Sequence, residues 1–171
     1  GNDFGTIEED VMRRDFTMNA LYYDPIQQQI IDYVGGMKDI KKHLLNPVID
    51  IDRIFVEDPV RMLRAIKYSA TTHAKMSHTL RQKIRKSAGL LSQVSPSRLT
   101  EEMLKILNSQ YASEIIREAL DTDLYMYLQP AATGMIYENK DFEKKYICIV
   151  DGKMENEEGT FKDYLYKNEN G

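Results

Sequence analysis

Cysteine is nearly missing from this 171-residue chain: there is one, Cys148. A single thiol excludes an internal disulfide framework and a cysteine-rich zinc site. Histidine is scarce too, and His43, His73 and His78 argue against a histidine-built metal centre. Long apolar runs are also absent. None approaches the roughly 20 residues that a membrane helix needs. The opening GNDFGTIEEDV is polar and acidic, without the apolar stretch of a secretory signal. These absences predict a soluble, intracellular, cytoplasmic protein with no membrane partner. An initiator methionine is missing as well, because the chain opens on Gly1. A processed chain or a piece of a longer one is expected to look like this.

What is present is the material of a core. Hydrophobic residues make up 42% and charged residues 29%, so most of the chain should be globular. The length suits one domain, or a small domain with an appendage. The formal net charge of −4 argues against a nucleic-acid partner until the chain is divided. Residues 1–40 carry a net −5 and residues 111–171 a net −6. Between them, residues 41–110 hold 13 basic and 6 acidic side chains, a net +7. A basic central block fits a polyanion binder, and it fits a solvated helix face equally well.

Periodicity predicts a mainly helical chain with one small β element. Residues 8–15 suit a short helix. Two β-prone runs, 19–24 and 30–34, flank Asp24-Pro25 and predict a hairpin that Gly35-Gly36 ends. Residues 37–45 predict a helix. Another begins at Asp58-Pro59, with Met62, Leu63, Ile66 and Ala70 on one face. Further helices are expected over 77–91, 95–108 and 112–120, with a short one over 124–128. Beyond residue 131 the signal weakens. KDFEKKYICIV is ambiguous, DGKMENEEG is a polar loop and KNENG is expected to fray. The expected domains are 1–50, 51–132 and a poorly defined 133–171.

Three constellations could carry chemistry. In Arg13-Arg14-Asp15-Phe16-Thr17-Met18-Asn19, guanidinium forks suit phosphate and sugar oxygens. An internal arginine–carboxylate brace is the blander reading, and this segment alone favours it. Asp58, Arg61, Arg64 and Lys67 recur at three-residue steps, a polar stripe at a helix start. A carboxylate beside a guanidinium offers both acceptor and donors to a base edge. Salt bridges on a wet face would produce the same spacing. In Ser97-Arg98-Leu99-Thr100-Glu101-Glu102 the structural reading is the better one: a helix start whose Arg98 and Glu102 brace a neighbour. Tyr22, Tyr23, Tyr33 and Tyr68 could stack on bases but read as packing residues.

Taken together, these segments resemble the bacterial poly(A) polymerase and CCA-adding tRNA nucleotidyltransferase family, class II. The resemblance rests on Arg-Arg-Asp-Phe-Thr-x-Asn-Ala at 13–20 and on Asp32, Gly35, Gly36 and Asp39 in Asp-x-x-Gly-Gly-x-x-Asp. It rests also on Glu-Asp-x-x-Arg-x-x-Arg at 57–64 and on the upstream GTIEEDV. It covers residues 1 to about 130. NALYYDP, IIDYVGGMKDI, EDPVRMLRAIKYSA and PSRLTEEMLKIL are closer in wording to the poly(A) polymerases.

The resemblance implies a multi-helical neck and body preceded by a small β-hairpin remnant of a nucleotidyltransferase head. It implies that Arg14 contacts the incoming nucleotide, with Asp15 and Asn19 shaping the ribose pocket. Asp58 and Arg61 would hydrogen-bond the base of ATP, and Arg64 would support base or phosphates. Lys67 stands where many members have an arginine, keeping the charge and losing the fork. Gly35 and Gly36 would be the hinge between head and neck. Arg98 and Glu102 would brace the base-reading helix. The basic helices after residue 75 would face an RNA 3′ end, of mRNA or tRNA.

The family's Gly-Gly-x-Val-Arg-Asp loop and its Asp-x-Asp strand, which holds magnesium, are missing. Asp50-Ile51-Asp52 has the letters but lies downstream of Gly35-Gly36, in the wrong order. The expectation is therefore a piece of a polynucleotide adenylyltransferase that is inactive alone, with the Mg2+ ligands elsewhere. A CCA-adding enzyme is the near alternative. A non-catalytic helical RNA-binding module and a plain helical scaffold are the alternatives of other classes.

Overall fold

The computed structural model describes residues 5–130. The expectations for 133–171, including Cys148, lie outside the described residues. Helix α1 (Ile7–Arg13) opens with a capping box between Thr6 and Glu9. A short 3-10 turn (Thr17–Asn19) leads into the hairpin β1 (Leu21–Asp24) and β2 (Gln29–Asp32), antiparallel with Leu21 opposite Asp32. Helix α2 (Gly36–Lys42) follows. The two-residue strand β3 (Leu44–Leu45) comes next, then α3 (Ile54–Glu57) and α4 (Arg61–Thr72). Strand β4 (Lys75–Met76) runs parallel to β3. Helix α5 (His78–Ser87) passes into a 3-10 stretch, Ala88–Gln93. Helices α6 (Pro96–Leu107), α7 (Ala112–Asp121) and α8 (Tyr125–Leu128) complete the described fold.

The fold class is mainly α with a small hairpin, as the periodicity predicts. Four local differences have physical causes. Helix α4 starts at Arg61, not at Pro59. The Asp58 carboxylate accepts the Val60 N–H at 3.1 Å and closes a turn between α3 and α4. The β3–β4 pair was not foreseen, because two-residue strands have no period to detect. Residues 77–91 do not form one helix. The helix ends at Ser87 and tightens to 3-10 over Ala88–Gln93. The cap of α6 is Ser95, whose hydroxyl accepts the Arg98 N–H. Ser97 and Glu102 therefore lie inside the helix.

One core joins the elements. Phe16, Leu45, Ile54, Phe55, Met62, Leu63 and Ile66 pack with Leu80, Ile84, Leu91, Ile106, Ile115 and Leu124. It is continuous across residue 50. The backbone binds the same regions: the Thr17 N–H donates to the Asn46 carbonyl at 3.0 Å, and the Val48 N–H to the Asp15 carbonyl at 3.0 Å. These bonds fix the loop on which Asp15 sits.

Asp32 ends the hairpin and starts α2. Its Oδ1 accepts N–H bonds from Val34, Gly35 and Gly36, and its Oδ2 accepts one from Met37. Burial pushes the carboxyl up, but these four donors outweigh it and hold Asp32 below the usual carboxylate range. A depressed folded-state pKa means the stabilisation is full above the ordinary value near 3.8. It is lost as pH falls through the folded value. Asp32→Ala should cost about 1 kcal/mol at neutral pH. Urea unfolding at pH 7 and pH 3 checks it, since the gap between wild type and variant should narrow at the lower pH.

Candidate functional site

Seven side chains line one open cleft of about 170 Å3: Arg13, Arg14, Asp15, Asn19, Asp58, Arg61 and Arg64. Arg13 ends α1, and the loop behind it carries Arg14 and Asp15. Asn19 closes the 3-10 turn, and the rest come from the α3–α4 junction. The structure thus gathers Arg14, Asp15, Asn19, Asp58, Arg61 and Arg64, all named from the sequence. Four arginines face two aspartates, so the cleft favours an anion.

Asp15 is the hub. It is 5% exposed, and its Oδ1 accepts the Phe16 N–H at 2.7 Å and the Asn19 amide at 3.3 Å. Its Oδ2 accepts Arg64 Nε at 2.6 Å. Burial works against the Arg64 charge, but Asp15 outweighs it and raises the guanidinium above its usual range. The Arg64 guanidinium also lies 5.5 Å over the Tyr68 ring, which meets Phe16 edge-on.

Arg61 is a clasp. It donates to the carbonyl of Arg13 at 2.8 Å, to that of Ile54 at 3.3 Å, and to Glu57 at 3.4 Å. Asp58 accepts from Val60 and, at 2.8 Å, from Arg98 Nη2 on α6. One turn further along α6 lies Glu102, 6% exposed, which accepts from Lys67 at 3.4 Å and Lys105 at 2.7 Å. Burial raises the Glu102 carboxyl, but the two lysines outweigh it and keep it below the usual range. Lys67 is outside the cleft. A helix turns about 100° per residue, so each three-residue step slips about 60° around the axis. Arg61 and Arg64 share the cleft, and Lys67 has rotated toward α6.

Gly35 and Gly36 do not line the cleft, but Gly36 touches its support. Gly35 holds φ +81°, and the bare Gly36 Cα sits against the Thr17 carbonyl. Among the tyrosines, Tyr22 and Tyr68 are held in contacts, while Tyr23 and Tyr33 are exposed. On basic helix α5, Arg81 pairs with Glu118, Lys83 donates to Asp52 at 2.5 Å, and Arg85 reaches the Asp121 carbonyl. Much of that positive face is engaged in packing.

Arg13 stands in the first constellation, but the resemblance assigns a role only to its neighbour Arg14. Its side chain makes no hydrogen bond or ion pair among the described residues, so its whole fork is available. Arg14 donates twice to Asp10 Oδ2, from Nε at 3.2 Å and Nη2 at 2.9 Å. Glu9 stands at the same four-residue spacing from Arg13, but its carboxylate accepts the Thr6 N–H at 3.0 Å in the capping box, and that cap is the signal that separates the two arginines.

A magnesium site does not fit these residues. Among the described residues no group of three or more histidines, cysteines or acids could hold a metal. The two cleft carboxylates are already engaged by Arg64 and Arg98. Asp50 caps its own turn by accepting the Asp52 N–H at 2.7 Å. Nor is any described helix long and apolar enough to cross a membrane.

A family model described as "Poly A polymerase head domain" matches residues 2–46. A second, "Probable RNA and SrmB- binding site of polymerase A", matches residues 75–135. Poly(A) polymerase I of Escherichia coli O157:H7 is 41% identical over 140 residues, 82% of this chain. The chain belongs to the bacterial poly(A) polymerase and CCA-adding enzyme family. A CCA-adding enzyme of Bacillus licheniformis is 35% identical over 123 residues, 72% of the chain. The solved CCA-adding enzyme of Bacillus stearothermophilus in complex with CTP superposes with a TM-score of 0.70 at 33% identity, over 80% of the chain. The chain spans about a third of the length of these family members: 30%, 31% and 34% respectively. Residues 47–74 lie between the two matched family models, and they carry Asp58, Arg61 and Arg64.

Proposed function

We propose that this chain is the nucleotide-reading and primer-facing part of a template-independent RNA nucleotidyltransferase, a poly(A) polymerase. The whole enzyme adds AMP from ATP to an RNA 3′ end and releases pyrophosphate. Catalysis is by positioning, with no covalent intermediate on the protein. The observation that carries this reading is the cleft, where one carboxylate and four guanidinium groups converge with Asn19 around the buried Asp15. Asp58 and Arg61 read the base. Arg64 and Asp15 hold each other, and Asn19 and Asp15 shape the ribose pocket. Arg13 and Arg14 take the anionic end of the nucleotide.

Residues 1–50 belong to the head and 51–132 to the neck and body, with Gly35-Gly36 at the passage between them. The magnesium ligands are not among the residues of the cleft, and the reading places them elsewhere in the whole enzyme, so AMP transfer by this chain alone is not expected. RNA runs along the basic middle of the chain. A groove of about 490 Å3 supports this, lined by Ser69, His73, Ala74, Lys75, Met76 and Arg81. Lys75 has no side-chain partner there among the described residues.

Identity to poly(A) polymerase I favours adenylate addition, but the near alternative is a CCA-adding enzyme, because both must read a nucleotide. Equilibrium binding of the four ribonucleoside triphosphates to the chain separates the readings. ATP bound well above CTP, GTP and UTP is the expected result. Comparable ATP and CTP affinity would point to CCA addition. RNA affinity with a steep salt dependence and no nucleotide selectivity would leave only a helical RNA-binding module.

A further inference from the structure

We propose that Asp10 and Tyr22 form a clamp that positions Arg14 for the triphosphate of the nucleotide. The proposal rests on the reading of the cleft given above and adds two residues to it. Asp10 lies in α1 and Tyr22 in β1, and neither lines the cleft. They meet on one oxygen. The Tyr22 hydroxyl donates to Asp10 Oδ2 at 2.6 Å, and the Arg14 Nε and Nη2 donate to the same atom. The Arg14 guanidinium lies 5.6 Å over the Tyr22 ring.

An arginine so held has one hydrogen-bonding edge used and one face covered. Its Nη1 has no partner among the described residues, and Arg14 lines the cleft. The remaining donors are therefore those offered to a ligand. A guanidinium ordered before binding loses less rotamer freedom when an anion arrives. The cluster also keeps its charges. The Tyr22 bond, then Arg14, hold the Asp10 carboxyl below its usual range. Asp10 in turn raises Tyr22 and Arg14 above theirs. All three stay in one protonation state across neutral pH.

A plain surface ion pair would contain some of the same contacts, because Arg14 and Asp10 are each about half exposed. The sign of one effect tells the two apart. Asp10→Asn removes a negative charge beside the cleft. Simple electrostatics then predicts tighter binding of an anion. Loss of positioning predicts weaker binding. Tyr22→Phe makes the second test, because it keeps every charge and the ring and removes only the hydroxyl donor.

The experiment is calorimetric titration of ATP into the full 171-residue chain. The variants are Asp10→Asn, Tyr22→Phe, Arg14→Ala and the double variant Asp10→Asn with Arg14→Ala, each with a thermal melt. Asp10→Asn and Tyr22→Phe should each weaken ATP binding about five-fold. Asp10→Asn should add nothing once Arg14 is alanine, because a positioning residue acts through the group it positions. Unchanged or tighter binding in Asp10→Asn overturns the clamp. An equal loss in the Arg14→Ala background overturns it too. Binding that Arg14→Ala leaves unchanged, or no ATP binding by the unaltered chain, overturns the reading of the cleft and the clamp with it.

Discussion

Gly36→Ala should destabilise the chain by about 2–4 kcal/mol, in the range of severe single substitutions. The new methyl would collide with the Thr17 carbonyl oxygen, and Leu21 Cδ2 lies 3.2 Å away. The obstacle is backbone, so no side-chain rotation relieves it. Thr17 is fixed as well. Its hydroxyl donates to the Asp39 carboxylate at 2.6 Å, and its N–H is bonded to Asn46. Relief requires α2 to move away from the 3-10 turn. That turn carries Asn19, and Asp15 lies immediately before it, so nucleotide affinity should fall with stability. Gly35→Ala is the control. Nothing lies within 4 Å of a methyl there, and only the φ of +81° resists it. That cost is about 1 kcal/mol. Urea unfolding of both variants checks the order. Equal losses would mean that conformational freedom, not close approach, is why the second glycine is there.

The contrast shows where sequence reading succeeds. The glycine pair is visible as a hairpin end, but its two members do different work. The neighbours of Gly36 come from residues 17 and 21, which no periodicity relates to it. The cleft was more legible. Arg61 and Arg64 are spaced by helix α4, with Asp58 in the turn that leads into it, and Arg14, Asp15 and Asn19 sit in one short segment. What joins the two groups is the Arg64–Asp15 bond across 49 residues, and local pattern contains no trace of it. The family resemblance places both groups at one nucleotide but does not pair Arg64 with Asp15. Lys67 shows the limit of a three-residue stripe, which winds around the helix and leaves the site within two steps. The core was readable wherever a helix was amphipathic, as with Met62, Leu63 and Ile66. It was not readable at Leu45, which is buried through a two-residue strand.

Base selectivity offers the other large effect, and the structure decides which variant tests it cleanly. Arg61→Ala is a poor choice. Arg61 holds the carbonyls of Arg13 and Ile54, so its loss would loosen α1 from α4 whatever Arg61 does for a base. Asp58→Asn is better. The amide oxygen can still accept the Val60 N–H that closes the α3–α4 turn. The other carboxylate oxygen, which accepts from Arg98, becomes a donor. A base that offers a donor to Asp58 then meets a donor instead. A good two-point contact to a base is worth about 1–3 kcal/mol of discrimination. Adenine and cytosine both present an amine donor, whereas guanine presents the O6 acceptor. The preference for ATP over GTP should therefore fall by about ten-fold or more, with RNA affinity unchanged. Arg98→Ala leaves the Asp58 carboxylate in place and removes its brace, so a smaller loss of selectivity is expected. Nucleotide competition against a fluorescent ATP analogue measures both. If Asp58→Asn leaves the ATP-to-GTP ratio where it was, Asp58 is a turn former and an anchor for Arg98. Base reading must then lie in another part of the cleft.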